Sequence, residues 1–307
     1  MKQLLTRIKP FFRWFIVGGV LFFLFKTFKD RFAEVAAVSI DTQGWLLLIC
    51  ALTLTIGAHI WSGYVWTKIV QVFQQPLGIF EGIRVYLLTN IAKYSPGNIW
   101  HFYGRVSAIA RRGGSRGAAT LCVLLEPLLM AAAALMLALI CQGLSWQSSH
   151  NGSLWLQIAS LIMVLGGIHP RILNKLLHRL SRSKNKDDAI AAQAIKLEQY
   201  PLIPFLGEVG FVIIRGLGFC LTFLALQSLT WQQIPQLFRA FSFAWLLGLV
   251  IPGAPGGLGV FEVTAYSLLD NAQFPSEISA VALYRLVSIL AEAIAAAVSW
   301  KIKMPQP

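Results

Sequence analysis

Residues 240–270 read AFSFAWLLGLVIPGAPGGLGVFEVTAYSLLD, two apolar arms on either side of the break Ile251-Pro-Gly-Ala-Pro-Gly-Gly-Leu-Gly259. Two prolines remove backbone donors and four glycines add maximal flexibility, so no continuous helix passes through the break. At 1.5 Å per residue an arm of about 12 residues reaches only about half-way through a ~30 Å hydrocarbon core. Irregular backbone at membrane depth survives only where protein buries it or where it lines a wet cavity. The stretch 240–270 is therefore expected to be a re-entrant hairpin that enters and leaves on the same side. A tight extracellular loop between two short helices is the alternative reading of the same residues.

The rest of the chain supplies the membrane context. Of 307 residues 56% are hydrophobic and only 13% charged, against roughly 25% charged in an average soluble domain. Apolar runs long enough to span recur at about 11–28, 45–66, 117–141, 154–169, 203–227 and 279–300. They predict an all-α polytopic membrane bundle of about six full transmembrane helices, filling residues 1–307 as one domain. Trp45, Trp61 and Trp66 sit where interfacial anchors of the second run belong. The start imitates a signal peptide, with Lys2, Arg7, Lys9 and Arg13 ahead of an apolar run. Lys26, Lys29 and Arg31 follow it with no A-x-A site, so an uncleaved anchor is expected.

Charge orients the bundle. The formal charge of +13 would suggest nucleic acid in a soluble protein, yet 20 of the 26 Lys and Arg residues fall in four blocks that border or separate apolar runs. The N-terminal tail holds four, 67–116 seven, 170–200 seven and the C-terminal tail two, while 142–153 holds none. By the positive-inside rule the N- and C-termini and the basic loop 170–200 lie in the cytoplasm, and no nucleic-acid partner is expected. That assignment requires 240–270 to return to the outer side, in agreement with its arm lengths.

A second break, Lys93-Tyr94-Ser95-Pro96-Gly97-Asn98-Ile99-Trp100-His101, divides a candidate hairpin at 80–110. By the charge tally it opens from the cytoplasm and the other opens from outside, the pattern of an inverted repeat. Carriers commonly bind substrate where such broken helices meet. Candidate contacts at the first break are Pro96, Gly97, Asn98, His101 and Arg105; at the second they are Gly256, Gly257, Gly259 and Glu262. An arm starting near Leu258 would present free N–H groups and a positive dipole end to a phosphate or carboxylate. Lys93, His101 and Arg105 either face such a headgroup or simply meet lipid phosphates and water at the interface.

Isolated charges within apolar runs are costly unless paired or hydrated, and Glu126, Arg215, Arg285 and Glu292 are of this kind. All four are expected to point inward, with Arg285 and Glu292 on one helix face. They hold the bundle together, for example as a Glu126 to Arg215 pair, or they serve substrate or protons; the residues leave both open. Gly216, Gly218 and Ala131 to Ala134 suggest close helix packing. Cys50, Cys122, Cys141 and Cys220 have no C-x-x-C spacing, and His59, His150, His169 and His178 have no metal spacing, so no metal or cofactor is expected.

The run 255–262, Pro-Gly-Gly-Leu-Gly-Val-Phe-Glu, followed by Arg285, resembles the transmembrane domain family of lysylphosphatidylglycerol synthases in its stand-alone form. Residues 93–101 and Arg105 look like that family's first motif, and the resemblance covers nearly the whole chain. It implies a flippase-like membrane domain, multi-pass in a bacterial inner (plasma) membrane, whose fused relatives move an aminoacylated phospholipid that a soluble C-terminal domain makes. The sequence ends at Pro307, so synthesis of lysyl-lipid by this chain alone is not expected. Two functions follow. The first is translocation or binding of an anionic phospholipid or lipid-linked substrate, with membrane lipids and a separate lipid-modifying enzyme as partners. The alternative is a membrane-embedded transferase or accessory subunit acting on a lipid phosphate, with Glu126, Glu262 or His101 as acid or base.

Overall fold

The computed structural model describes residues 40–94, 99–144, 151–181, 197, 199–251, 254–269 and 276–302. The expected helix at 11–28, the candidates Pro96, Gly97 and Asn98, Pro252 and Gly253 of the second break and most of the loop 170–200 lie outside these residues. Among the described residues the chain is all-helical. Four helices are long and apolar enough to cross a bilayer: α1 (Thr42–Val72), α4 (Arg116–Leu144), α7 (Leu202–Leu224) and α10 (Glu277–Lys301). The shorter α5 (Asn151–Gly167) has 17 residues and rises about 25 Å, close to the thickness of the core. The polytopic helical bundle read from the sequence is the observed fold.

Local chemistry explains the spans. Asp41 starts α1 by accepting the Gly44 N–H at 2.7 Å. Inside its apolar run Thr55 and Thr67 donate their hydroxyl protons to the carbonyls of Ala51 and Gly63, at 2.7 and 2.8 Å. These two hydroxyls are thereby satisfied within the helix. One anchor assignment fails. Trp45 and Trp61 are exposed on the bundle surface, but Trp66 is fully buried, because α1 runs six residues past its expected end and carries that ring inside.

Between the long helices lie two broken pairs. α2 (Ile79–Asn90), a 3-10 turn (Ile91–Tyr94) and α3 (Trp100–Arg111) form the first. α8 (Gln233–Val250), a 3-10 turn (Pro255–Gly257) and α9 (Val260–Leu268) form the second. The second pair is less even than two arms of equal length. α8 has 18 residues and begins at Gln233, ahead of the expected 240, because Pro235 falls in a first turn that needs no N–H partner. α9 has only nine. α6 (Pro170–Ser181) follows α5.

The order long, short, turn, short, long thus occurs twice, as α1 to α4 and as α7 to α10. Packing echoes it: α1 lies along α7, α2 packs on α10, and α8 packs on α4, so each broken pair leans on a long helix of the other half. The second pair is fixed by an aromatic knot in which Phe219 of α7 meets Phe241 of α8 at 5.6 Å, Phe261 of α9 at 6.1 Å and Tyr284 of α10 at 5.1 Å between ring centroids.

Candidate functional site

The tips of the two broken pairs touch. Gly256 and Gly257 have φ of +60° and +72°, a left-handed backbone that glycine adopts at little cost. A Cβ on Gly256 would lie 2.5 Å from the ring of buried Tyr94, which ends the first 3-10 turn. Leu258 and Ile289 complete this contact.

Beside the tips is a cavity of about 290 Å³, lined among others by Lys93, His101, Trp245, Gly256, Gly257, Arg285, Ser288 and Glu292. A second space of about 90 Å³ extends it towards His59, Tyr86, Arg105 and Glu126. Both are walled by Lys93, His101, Phe102, Pro127, Arg215, Trp245, Leu249 and Glu292, so they form one hollow, mostly apolar in its wall and set with charged side chains. Leu124 is 43% exposed on the outer surface of α4 and also lines the larger space. The hollow therefore reaches the flank of the bundle. Pro127, inside α4, cannot donate to the carbonyl four residues back, so polar backbone is left at the same wall.

Three ion pairs surround it. Arg285 Nε donates to Glu262 Oε1 at 3.0 Å and Nη2 to the Gly256 carbonyl at 3.0 Å. Glu262 Oε2 in turn accepts the Gly259 N–H at 2.7 Å, the carboxylate half of a capping box at the start of α9, since glycine has no side chain to return the bond. One arginine thus ties the turn, the start of α9 and α10 together. The helix start expected near Leu258 lies at Val260, where Glu262 takes the N–H of the preceding Gly259. Arg105 pairs with Glu126, donates to Thr89 Oγ1 at 3.3 Å and lies 3.9 Å over the Tyr86 ring. Lys93 Nζ meets Glu292 Oε1 at 2.7 Å.

The expected inward set is buried throughout: Glu126, Arg215, Arg285 and Glu292 are each less than 7% exposed. Its pairing differs. Glu126 is held by Arg105 and not by Arg215, since α3 packs directly on α4 and brings a nearer guanidinium. Arg215 instead donates from Nη1 to Ser288 Oγ at 2.9 Å and lies 3.3 Å from His59 Nε2. Gly256, Gly257, His101 and Arg105 line the hollow, whereas Gly259 has φ of +84° and caps α9. Glu262 reaches the hollow through Arg285.

The sequence reading missed two residues of the hollow, His59 and Ser288, and one buried acid outside its lining, Glu208. His59, given no role, lies 3.4 Å from Glu292 and beside Arg215. Ser288 is one turn from Arg285 and one from Glu292, so the same helical spacing marks it. Glu208, seven residues before Arg215 on the same face of α7, is fully buried with neither carboxylate oxygen hydrogen-bonded among the described residues. The rule that selected Glu126 applies to it equally.

Long helices enclosing two broken ones, with buried charges around a hollow at their meeting tips, define a polytopic integral membrane protein. The chain belongs to the family described as the lysylphosphatidylglycerol synthase TM region, whose model matches residues 11–296. That family is a membrane domain associated with lipid-related functions. No curated protein matches the chain.

Proposed function

We propose that the protein translocates or binds a phosphate-bearing anionic lipid, holding the headgroup in the hollow between the two tips while the acyl chains stay in the bilayer. The observation that carries this reading is the hollow itself: a mostly apolar wall into which four cationic side chains, Lys93, Arg105, Arg215 and Arg285, are set, with the half-exposed Leu124 at its side. Its size favours a headgroup over a whole lipid, because about 290 Å³ lies at the small end of the ~300–1,000 Å³ typical of ligand pockets. The charge tally supports cytoplasmic N- and C-termini, and the family supports a bacterial inner membrane. A separate lipid-modifying enzyme fits as the partner that makes or consumes the lipid. The test is leaflet exchange of a labelled anionic phospholipid in proteoliposomes. Protein is expected to accelerate exchange, and Arg285→Ala to slow it. Exchange as slow as in empty vesicles, across several anionic headgroups, sinks the reading.

A further inference from the structure

Four cations line the hollow, Lys93, Arg105, Arg215 and Arg285. Three have a carboxylate of their own: Glu292 for Lys93, Glu126 for Arg105 and Glu262 for Arg285. Arg215 has none within salt-bridge reach among the described residues. Its hydrogen bonds go to Ser288 and His59, and its buried Nε has no partner. Glu292, on the same wall, gives its Oε1 to Lys93 at 2.7 Å, and its buried Oε2 has no partner and lies outside salt-bridge reach of Arg215. A guanidinium only 3% exposed, without a counter-charge, wants an anion.

We infer that Arg215 is the anchor for exactly one negative charge, so that the hollow selects a singly charged phosphodiester over a phosphomonoester or a zwitterionic headgroup. This rests on the hollow being the headgroup site. A guanidinium suits the task because its planar fork matches two phosphate oxygens. A second negative charge would have to draw Lys93, Arg105 or Arg285 away from its carboxylate and leave that carboxylate buried and alone. A zwitterion would bring a further cation into a wall that already has one in excess.

The experiment measures binding to the purified protein in detergent. The probes are phosphatidylglycerol, phosphatidic acid, phosphatidylcholine and the chain-free headgroup glycerophosphoglycerol, with wild type, Arg215→Lys and Arg215→Gln. Wild type should bind phosphatidylglycerol at least about tenfold more tightly than the other two lipids, Arg215→Gln should lose about that factor, and Arg215→Lys, which keeps the charge but not the fork, should fall between the two while keeping the ranking of the lipids. Equal binding of the three lipids by wild type overturns the inference, as does full affinity in a folded Arg215→Gln. If Arg215→Gln does not fold, the wild-type ranking alone decides. Glycerophosphoglycerol binding as tightly as the lipid would leave the charge count standing but remove lipid as the source. Selective lipid binding without leaflet exchange would defeat translocation and spare the inference.

Discussion

Replacing Arg285 with methionine removes two hydrogen bonds of 3.0 Å, to Glu262 and to the Gly256 carbonyl, and the guanidinium 5.2 Å over the Phe261 ring, while keeping an unbranched aliphatic stem. Glu262 is then left with the Gly259 N–H at 2.7 Å. The two side chains are 7% and 2% exposed, so the pair belongs with buried pairs, whose disruption from one side costs about 3–5 kcal/mol. Glu262→Gln alone keeps an acceptor for Gly259 but loses the charge-assisted bond, a cost of about 1–3 kcal/mol. In the double variant the neutral amide no longer needs a cation, so the combined loss falls short of the sum by about 1–3 kcal/mol. Reversible unfolding by titration with sodium dodecyl sulfate in mixed micelles measures all three. Losses that add to within about 0.5 kcal/mol would falsify the pairing as the fastening of the second tip.

Other outcomes follow from the same contacts. The half-exposed Arg112 to Glu81 pair, at 2.7 Å, serves as contrast: Glu81→Gln should cost less than about 1 kcal/mol in that titration, and a loss as large as that of Arg285→Met refutes the burial argument. Gly256→Ala should cost about 1–2 kcal/mol for its left-handed backbone, plus the collision with the Tyr94 ring. Adding Tyr94→Ala should recover only the second part; recovery to wild type, beyond the loss of the tyrosine itself, would mean that the backbone is unstrained. Glu208→Leu should raise the unfolding midpoint, because burying a polar group without a partner costs about 1–3 kcal/mol. A lowered midpoint would point to a partner for that carboxylate.

The sequence made the bundle legible because span length and hydropathy are local properties, and the breaks legible because proline and glycine act on their own backbone. Boundaries were harder. α8 gained about two turns upstream of residue 240, where Gln233 and Arg239 dilute the apolar signal without stopping a helix. At the site, the residue types were readable and the partners were not. Glu126 shows in the sequence that it needs a cation, but whether Arg105 or Arg215 supplies it depends on which helix packs on α4. Trp66 failed for a related reason, since an amphipathic ring near a span end looks the same whether it faces headgroups or Tyr86 and Arg105. His59 and Glu208 fell within apolar runs and carried the signal that was used for their neighbours.

The separations of the three ion pairs also set an order of events during biosynthesis. Arg105 and Glu126 are 21 positions apart, and Glu262 and Arg285 are 23 apart, so each pair closes within its own half of the chain. Lys93 and Glu292 are 199 apart. At about 5–20 residues per second, the lysine waits on the order of 10–40 s for its carboxylate to leave the ribosome. During that wait the ammonium must stay near the water boundary or be shielded by an insertion factor, because an unpaired charge at the bilayer centre costs about 2.5–3.5 kcal/mol on the translocon scale. The first tip thus gains the carboxylate for its lysine only when the last helix has been made, whereas the other two pairs need only their own half of the chain.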